Sequence, residues 1–154
     1  MGYRDFKPPP QLRDLVECAW IVDGPAEPVR VLPDGCMDLI TMSGRIVVAG
    51  PDTTASIHQR DREPFVGLRF RPGVLPRLLR VPAAEIRNDR VPLSELGVTW
   101  RRDRSLTGLA TELASREPAS ETAPWSVDQL RRITRSFSEG AAVASVARET
   151  GWSS

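Results

Sequence analysis

The stretch CMDLITMSGRIVVAG, residues 36–50, gives the clearest fold signal in the chain. It contains two short runs rich in β-branched and other apolar residues, CMDLITM and RIVVAG, which are separated only by Ser43 and Gly44. A two-residue connection that contains glycine, between two such runs, is the signature of a β-hairpin. The stretch therefore predicts a hairpin, and with it a β-rich domain.

Further strands are predicted on either side of this hairpin. The runs VECAWIV (residues 16–22) and FVGLRF (residues 65–70) are apolar and aromatic, and VRVL (residues 29–32) leads into the turn signal PDG. After Pro72 and Gly73 the apolar residues recur with a helical period in GVLPRLLRV, which predicts a short helix. The segment VPAAEIRNDRVPLSEL then predicts short helices and turns wrapped on the strands.

The remainder of the chain is helical in character. Leucines spaced three and four residues apart between positions 106 and 113 predict an amphipathic helix, and two more helices are predicted over residues 126–137 and 141–150. The predicted fold class is α+β. Its parts are a β-rich domain at residues 1–114, a linker rich in Pro, Ser, Ala and Glu at residues 115–125, and a helical segment at residues 126–154.

The two last predicted helices carry local signals of their own. Ser126 and Gln129 form a capping-box pattern at the start of the first. Val143 and Val146 of the second are expected to pack toward the first helix. The first helix should bury the stripe Val127, Leu130, Ile133, Thr134 and Phe137.

Charge, cysteine content and hydropathy exclude several classes of protein. The chain has 21 basic and 20 acidic residues, so a net charge of +1 gives no global electrostatic case for nucleic acid. Cys18 and Cys36 do not make a disulfide framework, which favours a reduced, cytosolic setting. The N-terminus lacks the apolar core of a secretory signal, and no apolar run is long enough to span a membrane.

The residues that favour an enzyme are few. His58 is the only histidine; in the polar stretch TTASIHQR it is interpreted as a solvated loop residue, and a histidine-rich metal site of the cupin type is disfavoured. Cys36 follows a tight turn, where it is a reactive thiol or, as favoured here, a packed core residue. Asp34 and Asp38 have two interpretations. They form a catalytic carboxylate pair or, as we favour, Asp34 caps the turn and Asp38 pairs with an arginine on a neighbouring strand. We predict no enzyme activity and no cofactor. The rival hypothesis is a small enzyme that uses Cys36 with Asp34 or Asp38, and it requires that thiol reagents label Cys36 rapidly in the folded protein.

One pair of arginines is a candidate ligand contact. Arg69 and Arg71 in GLRFRPG are two residues apart, so on a strand they share a face. Two arginines on one face can bind a carboxylate or phosphate ligand. The alternative is that the face is solvated, or that its arginines form salt bridges with nearby acidic side chains. Together with Asp38, the two arginines are the candidate ligand-binding residues.

The C-terminal stretch SVARETGWSS, residues 145–154, has the spacing of a helix-turn-helix. Ala147 provides the small residue at which two helices approach, and Gly151, four positions later, suits the turn. Trp152 would cover the turn, and Ser153 or Ser154 would cap the following helix. The predicted scaffold residues are therefore Ala147, Gly151, Trp152 and Ser154.

Four blocks in order give the chain a family resemblance. LPDGCMDLI (residues 32–40), GPDT (residues 50–53), VGLRFRPG (residues 66–73) and VPAAEIRNDRVPL (residues 81–93) together resemble the uncharacterised N-terminal domain of bacterial AraC-family transcriptional regulators. Residues 126–154 are similar to the opening of the AraC-type DNA-binding domain.

The resemblance implies a regulatory role. It implies a small cupin-like barrel or sandwich that binds an unknown small-molecule effector or forms a homodimer, and it implies DNA as a partner of the full-length regulator. Base edges are read by a recognition helix that would follow Ser154, so we expect no sequence-specific DNA affinity of this chain. The alternative is a stand-alone small-molecule-binding module, in which the C-terminal helices dock on the β domain.

Overall fold

A computed structural model describes residues 2–60, 62–116 and 127–150. Eight strands lie in these ranges: β1 Gly2–Phe6, β2 Val16–Asp23, β3 Val29–Val31, β4 Met37–Met42, β5 Arg45–Ala49, β6 Ser56–His58, β7 Phe65–Phe70 and β8 Arg90–Pro92. The α-helices of the same ranges are α1 Val74–Leu79, α2 Leu106–Ala114, α3 Val127–Ser138 and α4 Val143–Thr150. Short 3-10 turns occur at Pro10–Leu12, Ala83–Ile86 and Leu93–Leu96.

The predicted hairpin is formed by β4 and β5, which pair antiparallel from Met42 opposite Arg45. Both residues of the connection have a positive φ, 48° at Ser43 and 71° at Gly44. Two successive left-handed residues are the geometry of a type I′ turn, whose twist matches that of the strands it joins. The hairpin prediction is confirmed.

The strands form two antiparallel sheets. Six of them make one sheet in the order β1-β2-β7-β4-β5-β8, and β3 pairs with β6 in a second, two-stranded sheet. A β-rich α+β fold is therefore confirmed. The sequence did not predict β1, β6 or β8, because each is short and partly exposed, so no run of apolar residues marks it.

The large sheet is buried on both faces, by different partners. On one face Leu39, Leu68 and Phe70 belong to the main core, together with α1 and α2. On the other face Trp20 and Phe65 belong to a second apolar cluster, against which Val29 of β3 packs. The domain thus has three layers, with helices on one side of the large sheet and the small sheet on the other.

An irregularity in β2 decides which side chains reach the second face. The pairing of β2 with β7 shifts register between Val16 and Cys18, where Val16 lies opposite Phe70 and Cys18 opposite Arg69. Opposed residues share a face, so this bulge places Val16 in the helical core and Cys18 on the second face. Trp20 follows Cys18 by two residues and faces the same way.

The C-terminal helices end and begin close to the predicted positions. Gly140, with a φ of 86°, follows α3, and its N–H donates to the carbonyl of Phe137. Ile133 of α3 and Val146 of α4 are both buried and border one small cavity, so the two helices pack as predicted at these residues.

Two residues of the predicted apolar contact are exposed instead. Phe137 is 44% exposed and Val143 is 73% exposed. Phe137 and Val143 each lie about one helical turn away from the buried residue of their helix, Ile133 or Val146, so both are outside the contact between the helices. The predicted capping residue Ser126 and the predicted linker after Arg116 lie outside the described residues. In the described ranges, the helices are too short or too polar to cross a lipid bilayer.

Candidate ligand cavity between the two sheets

A cavity of about 350 Å³ lies between the second face of the large sheet and the two-stranded sheet. This volume is within the range of small-molecule sites, roughly 300–1,000 Å³. Its apolar lining comes from both sheets and from the loop after β3: Tyr3, Trp20, Val22, Val29, Val31, Leu32, Ile40, Met42, Ala49 and Phe65. Its polar lining is concentrated in two groups of ionisable side chains.

Trp20 forms the aromatic wall of the cavity. It lies opposite Gly67 of β7, and a Cβ added at Gly67 would approach Trp20 Cε2 to 2.3 Å. Glycine is therefore required at this position for the indole to lie close against β7. Tyr3 of β1 stacks on the indole with ring centroids 6.2 Å apart. The indole is thus fixed from both sides.

The first polar group is built around Asp38 of β4. Arg69 Nε donates to Asp38 Oδ1 at 3.2 Å and Arg69 Nη2 to Oδ2 at 3.3 Å, and Trp20 Nε1 donates to Oδ2 at 2.9 Å. Arg69 Nη1 also lies 3.3 Å from Asp34 Oδ2, and Asp34 Oδ1 accepts from the N–H of Cys36 at 2.9 Å. The predictions that Asp34 caps the turn and that Asp38 pairs with an arginine on a neighbouring strand are confirmed.

The protonation of Asp38 is set by opposing effects. Burial raises the pKa of Asp38, while the charge of Arg69 and the hydrogen bonds from Arg69 and Trp20 lower it. Burial lowers the pKa of Arg69, but the charges of Asp38 and Asp34 raise it above the ordinary value. With three donors directed at it, Asp38 acts as a structural acceptor that orients Trp20 and Arg69.

The second polar group lies on the side of β6 and β8. Arg90 of β8 binds Asp52 through two parallel contacts, Nη2 to Oδ2 at 2.6 Å and Nη1 to Oδ1 at 3.0 Å. Arg90 Nη2 also lies 3.4 Å from His58 Nε2, which is 2.9 Å from the Ser56 hydroxyl. Guanidinium only donates hydrogen bonds, so His58 Nε2 accepts and the ring proton is on Nδ1.

A backbone junction between residues 50–53 and 86–90 positions this second group. The N–H of Gly50 donates to the carbonyl of Asp89 at 3.0 Å, and the N–H of Asn88 donates to the carbonyl of Pro51 at 3.1 Å. The side chain of Asn88 in turn accepts from the N–H of Thr53 at 2.7 Å. Asp52 and Arg90 belong to the two segments, so the junction brings them together.

His58 differs from its sequence interpretation. It lies on strand β6, is half-buried and borders the cavity, so its assignment as a solvated loop residue is wrong. The stretch around it is polar because β6 has only three residues and one exposed face. Burial lowers the pKa of His58, the charge of Arg90 lowers it further, and Asp52 opposes both. The imidazole is therefore neutral at pH 7.

We expect His58 to titrate below its ordinary pKa of 6.5. An NMR titration checks this directly, because the chain has a single histidine. A folded-state pKa below the unfolded one means that the unfolded chain binds the proton more readily. Stability should therefore fall as the pH drops from about 6.5 through the folded pKa.

Arg90→Gln should raise the histidine pKa, since it removes the neighbouring cation and leaves the charge of Asp52. Arg101→Gln, at a site 73% exposed, is the control and should leave the titration unchanged. A wild-type pKa at or above 6.5 would contradict the assignment.

Cys36 borders the cavity but is not set up as a nucleophile. Burial and the charge of Asp34 raise the pKa of Cys36 to about 12, so the thiol stays protonated at neutral pH. Among the residues described, no three His, Cys, Asp or Glu side chains come together as metal ligands.

The remaining predicted site residues lie apart from the cavity or outside the described ranges. Arg71 follows the end of β7 and binds Glu17 at 3.0 Å and the carbonyl of Arg13 at 3.2 Å, so it does not join Arg69 at the cavity. Ala147 lies on α4. Gly151, Trp152 and Ser154 lie outside the described residues.

Sequence reasoning missed several residues of the cavity. For Trp20 the sequence predicts only a position on a strand. The available signal is its indole N–H, which needs a buried acceptor in an apolar strand and so indicates a partner such as Asp38. Asp52 and Arg90 lie within the blocks GPDT and VPAAEIRNDRVPL, and no sequence pattern predicts a role for them. They are 38 residues apart, and no local pattern connects them.

The fold and the cavity define a three-layer α+β domain with a small-molecule-sized cavity between its sheets. The chain belongs to a family described as a domain of unknown function, DUF6597, which matches residues 4–92. Of the described residues that border the cavity, the matched range includes all but Tyr3. Comparisons with curated proteins and with solved structures found no match.

Proposed function

We propose that this chain is the effector-sensing part of an AraC-like transcription regulator, with the inter-sheet cavity as the effector site. The single observation that carries the proposal is the cavity itself, about 350 Å³, apolar over most of its lining and flanked by two groups of ionisable side chains. An apolar cleft with a few fixed polar groups is the usual form of a small-molecule site.

The proposal includes a cupin-like sandwich as the finer fold. Its support is the facing arrangement of a six-stranded and a two-stranded antiparallel sheet with the cavity between them. All four sequence blocks that carry the resemblance supply cavity residues. These are Asp34, Cys36 and Asp38, then Gly50 and Asp52, then Arg69, and finally Arg90.

The C-terminal helices support the DNA-linked part of the proposal. Ile133 of α3 and Val146 of α4 are buried in one contact, as two successive helices of a DNA-binding domain would be. In this proposal DNA is the partner of the full-length regulator, and the effector alters how α3, α4 and the helices beyond them engage it.

A stand-alone small-molecule-binding module is the second candidate. It is favoured by the position of the described lining residues, which run from Tyr3 to Arg90 and include no described residue of α3 or α4. The two candidates differ in whether the C-terminal helices respond to a ligand.

We expect ligand-observed NMR against a small-molecule library to find compounds that bind the wild-type chain but not Ala49→Leu. Ala49 is 7% exposed and borders the cavity, so a larger side chain there reduces the space for a ligand. Ala144→Leu is the matched control, because the same change on an exposed position of α4 should leave binding unchanged. Equal binding by wild type and Ala49→Leu would overturn the cavity as the site.

Hydrogen exchange with a bound ligand separates the two candidates. A regulator should change the exchange rates of residues 127–150 when the cavity is filled, whereas a stand-alone module should change only the rates around the cavity.

A further inference from the structure

The charges inside the cavity do not balance. Among the residues that the structure describes, its lining includes three carboxylates, Asp34, Asp38 and Asp52, but only two guanidinium groups that point inward, those of Arg69 and Arg90. His58 adds no charge at neutral pH, because burial and Arg90 lower its pKa. These described lining residues therefore carry one excess negative charge.

Arg30 also borders the cavity but does not supply the missing positive charge. It lies on β3 directly opposite Ile57 of β6, and Ile57 is 69% exposed. Opposed residues of an antiparallel pair share a face, so the Arg30 side chain lies on the outer face of the small sheet.

The carboxylate of Asp34 has weaker interactions than those of Asp38 and Asp52. Asp38 accepts from three donor atoms, and Asp52 binds Arg90 through both of its oxygens. Asp34 Oδ2, in contrast, shares Arg69 with Asp38 at 3.3 Å, and its side chain is 43% exposed. Asp34 thus keeps free lone pairs at the edge of the cavity.

We propose that the cavity binds a lipophilic cation, with a protonated amine on Asp34 and an apolar body against Trp20, Ile40 and Phe65. The inference rests on the proposed effector function and names the chemical class of the effector. Aromatic rings such as Trp20 attract cations as well as apolar groups. An anion would instead have to displace an aspartate from Arg69 or Arg90, which are already paired.

The volume sets the size of the apolar body. A cavity of about 150 Å³ holds benzene. The present cavity, at about 350 Å³, is therefore large enough for a body of two fused rings.

Three probes that share a naphthalene body test the inference by isothermal titration calorimetry: 2-naphthylmethylammonium, 2-naphthalenemethanol and 2-naphthoate. We expect the cation to bind at least about tenfold more tightly than the alcohol, and the carboxylate to bind most weakly. The advantage of the cation should shrink with added salt, because Asp34 is partly exposed.

Asp34→Asn isolates the charge. Asparagine keeps the oxygen that accepts from the N–H of Cys36, so the turn is retained while the charge is removed. We expect this variant to bind the cation about tenfold more weakly and the alcohol unchanged. Asp103→Asn, at a residue 71% exposed in a surface pair with Arg101, is the control and should bind all three probes as wild type does.

The outcomes separate the inference from the proposed function. Three results would overturn the lipophilic cation and leave the cavity as an effector site. The cation and the alcohol could bind equally, the carboxylate could bind more tightly than the cation, or Asp34→Asn could bind the cation as tightly as wild type does. Failure of all three probes to bind would also overturn the lipophilic cation, while the cavity as effector site is refuted by the library screen, if no compound binds the wild-type chain in preference to Ala49→Leu.

Discussion

Replacing Asp38 by alanine is expected to lower the free energy of unfolding by about 3 kcal/mol, the lower end of the cost of removing one partner from a buried ion pair, because Asp34 still pairs with Arg69. Asp38 is 7% exposed and accepts from Arg69 twice and from Trp20 once. Its removal leaves the indole N–H without its acceptor, and it leaves the Arg69 guanidinium paired with Asp34 alone of its two aspartates. The indole is part of the cavity wall, so ligand binding should weaken as well.

Urea unfolding followed by circular dichroism measures this effect. Asp38→Asn keeps an oxygen for the N–H of Trp20 while removing the charge, so its loss should be smaller than that of Asp38→Ala. Asp103→Ala, which breaks the exposed pair with Arg101, is the control and should change stability little. If Asp38→Ala were no less stable than this control, the role of Asp38 as the central acceptor would be refuted.

The part of the fold that the sequence predicts is the part with local signals. The β4–β5 hairpin was predicted because the type I′ turn needs Ser43-Gly44 or a similar pair between two apolar runs. Strand β8, in contrast, has three residues and ends in Pro92, and it joins the sheet by pairing with β5. A long-range contact creates this strand, and no local pattern marks it.

The candidate site likewise has one contact that the sequence predicts and one that it does not. The pairing of Asp38 with Arg69 was predictable, because unlike charges in β-prone runs pair across neighbouring strands. The contact of Arg90 with Asp52 and His58 depends on how the segment after α1 returns to the end of β5. Sequence periodicity carries no information on that return.

Helices α3 and α4 show a second limit of what sequence periodicity can predict. A stripe at helical spacing identifies Ile133 and Val146 as contact residues, and both are buried. It does not show where along the stripe the partner helix crosses, so it equally marked Phe137 and Val143, which are exposed. Periodicity gives the face of a helix, and the crossing point decides how much of that face is covered.

Gly50→Ala is expected to destabilise the domain by about 3 kcal/mol or more, since overpacking of this kind forces a backbone shift. A Cβ at Gly50 would lie 1.6 Å from the carbonyl oxygen of Ile86, which belongs to the backbone and cannot rotate away. The junction between residues 50–53 and 86–90 would have to open. Asp52 and Arg90 would then separate, so the second polar group of the cavity should be lost along with stability.

Gly108→Ala is the matched control, because the same methyl group should have the opposite effect there. Gly108 lies in the exposed first turn of α2, where the nearest atom to an added Cβ is Ser105 Oγ at 3.4 Å. Alanine favours a helix over glycine by about 0.5–1 kcal/mol, so this variant should be slightly more stable than wild type. Both free energies come from urea unfolding, with an NMR titration of His58 reporting on the junction. If Gly50→Ala kept wild-type stability and an unchanged His58 pKa, the close approach of Ile86 to Gly50 would not hold the cavity together.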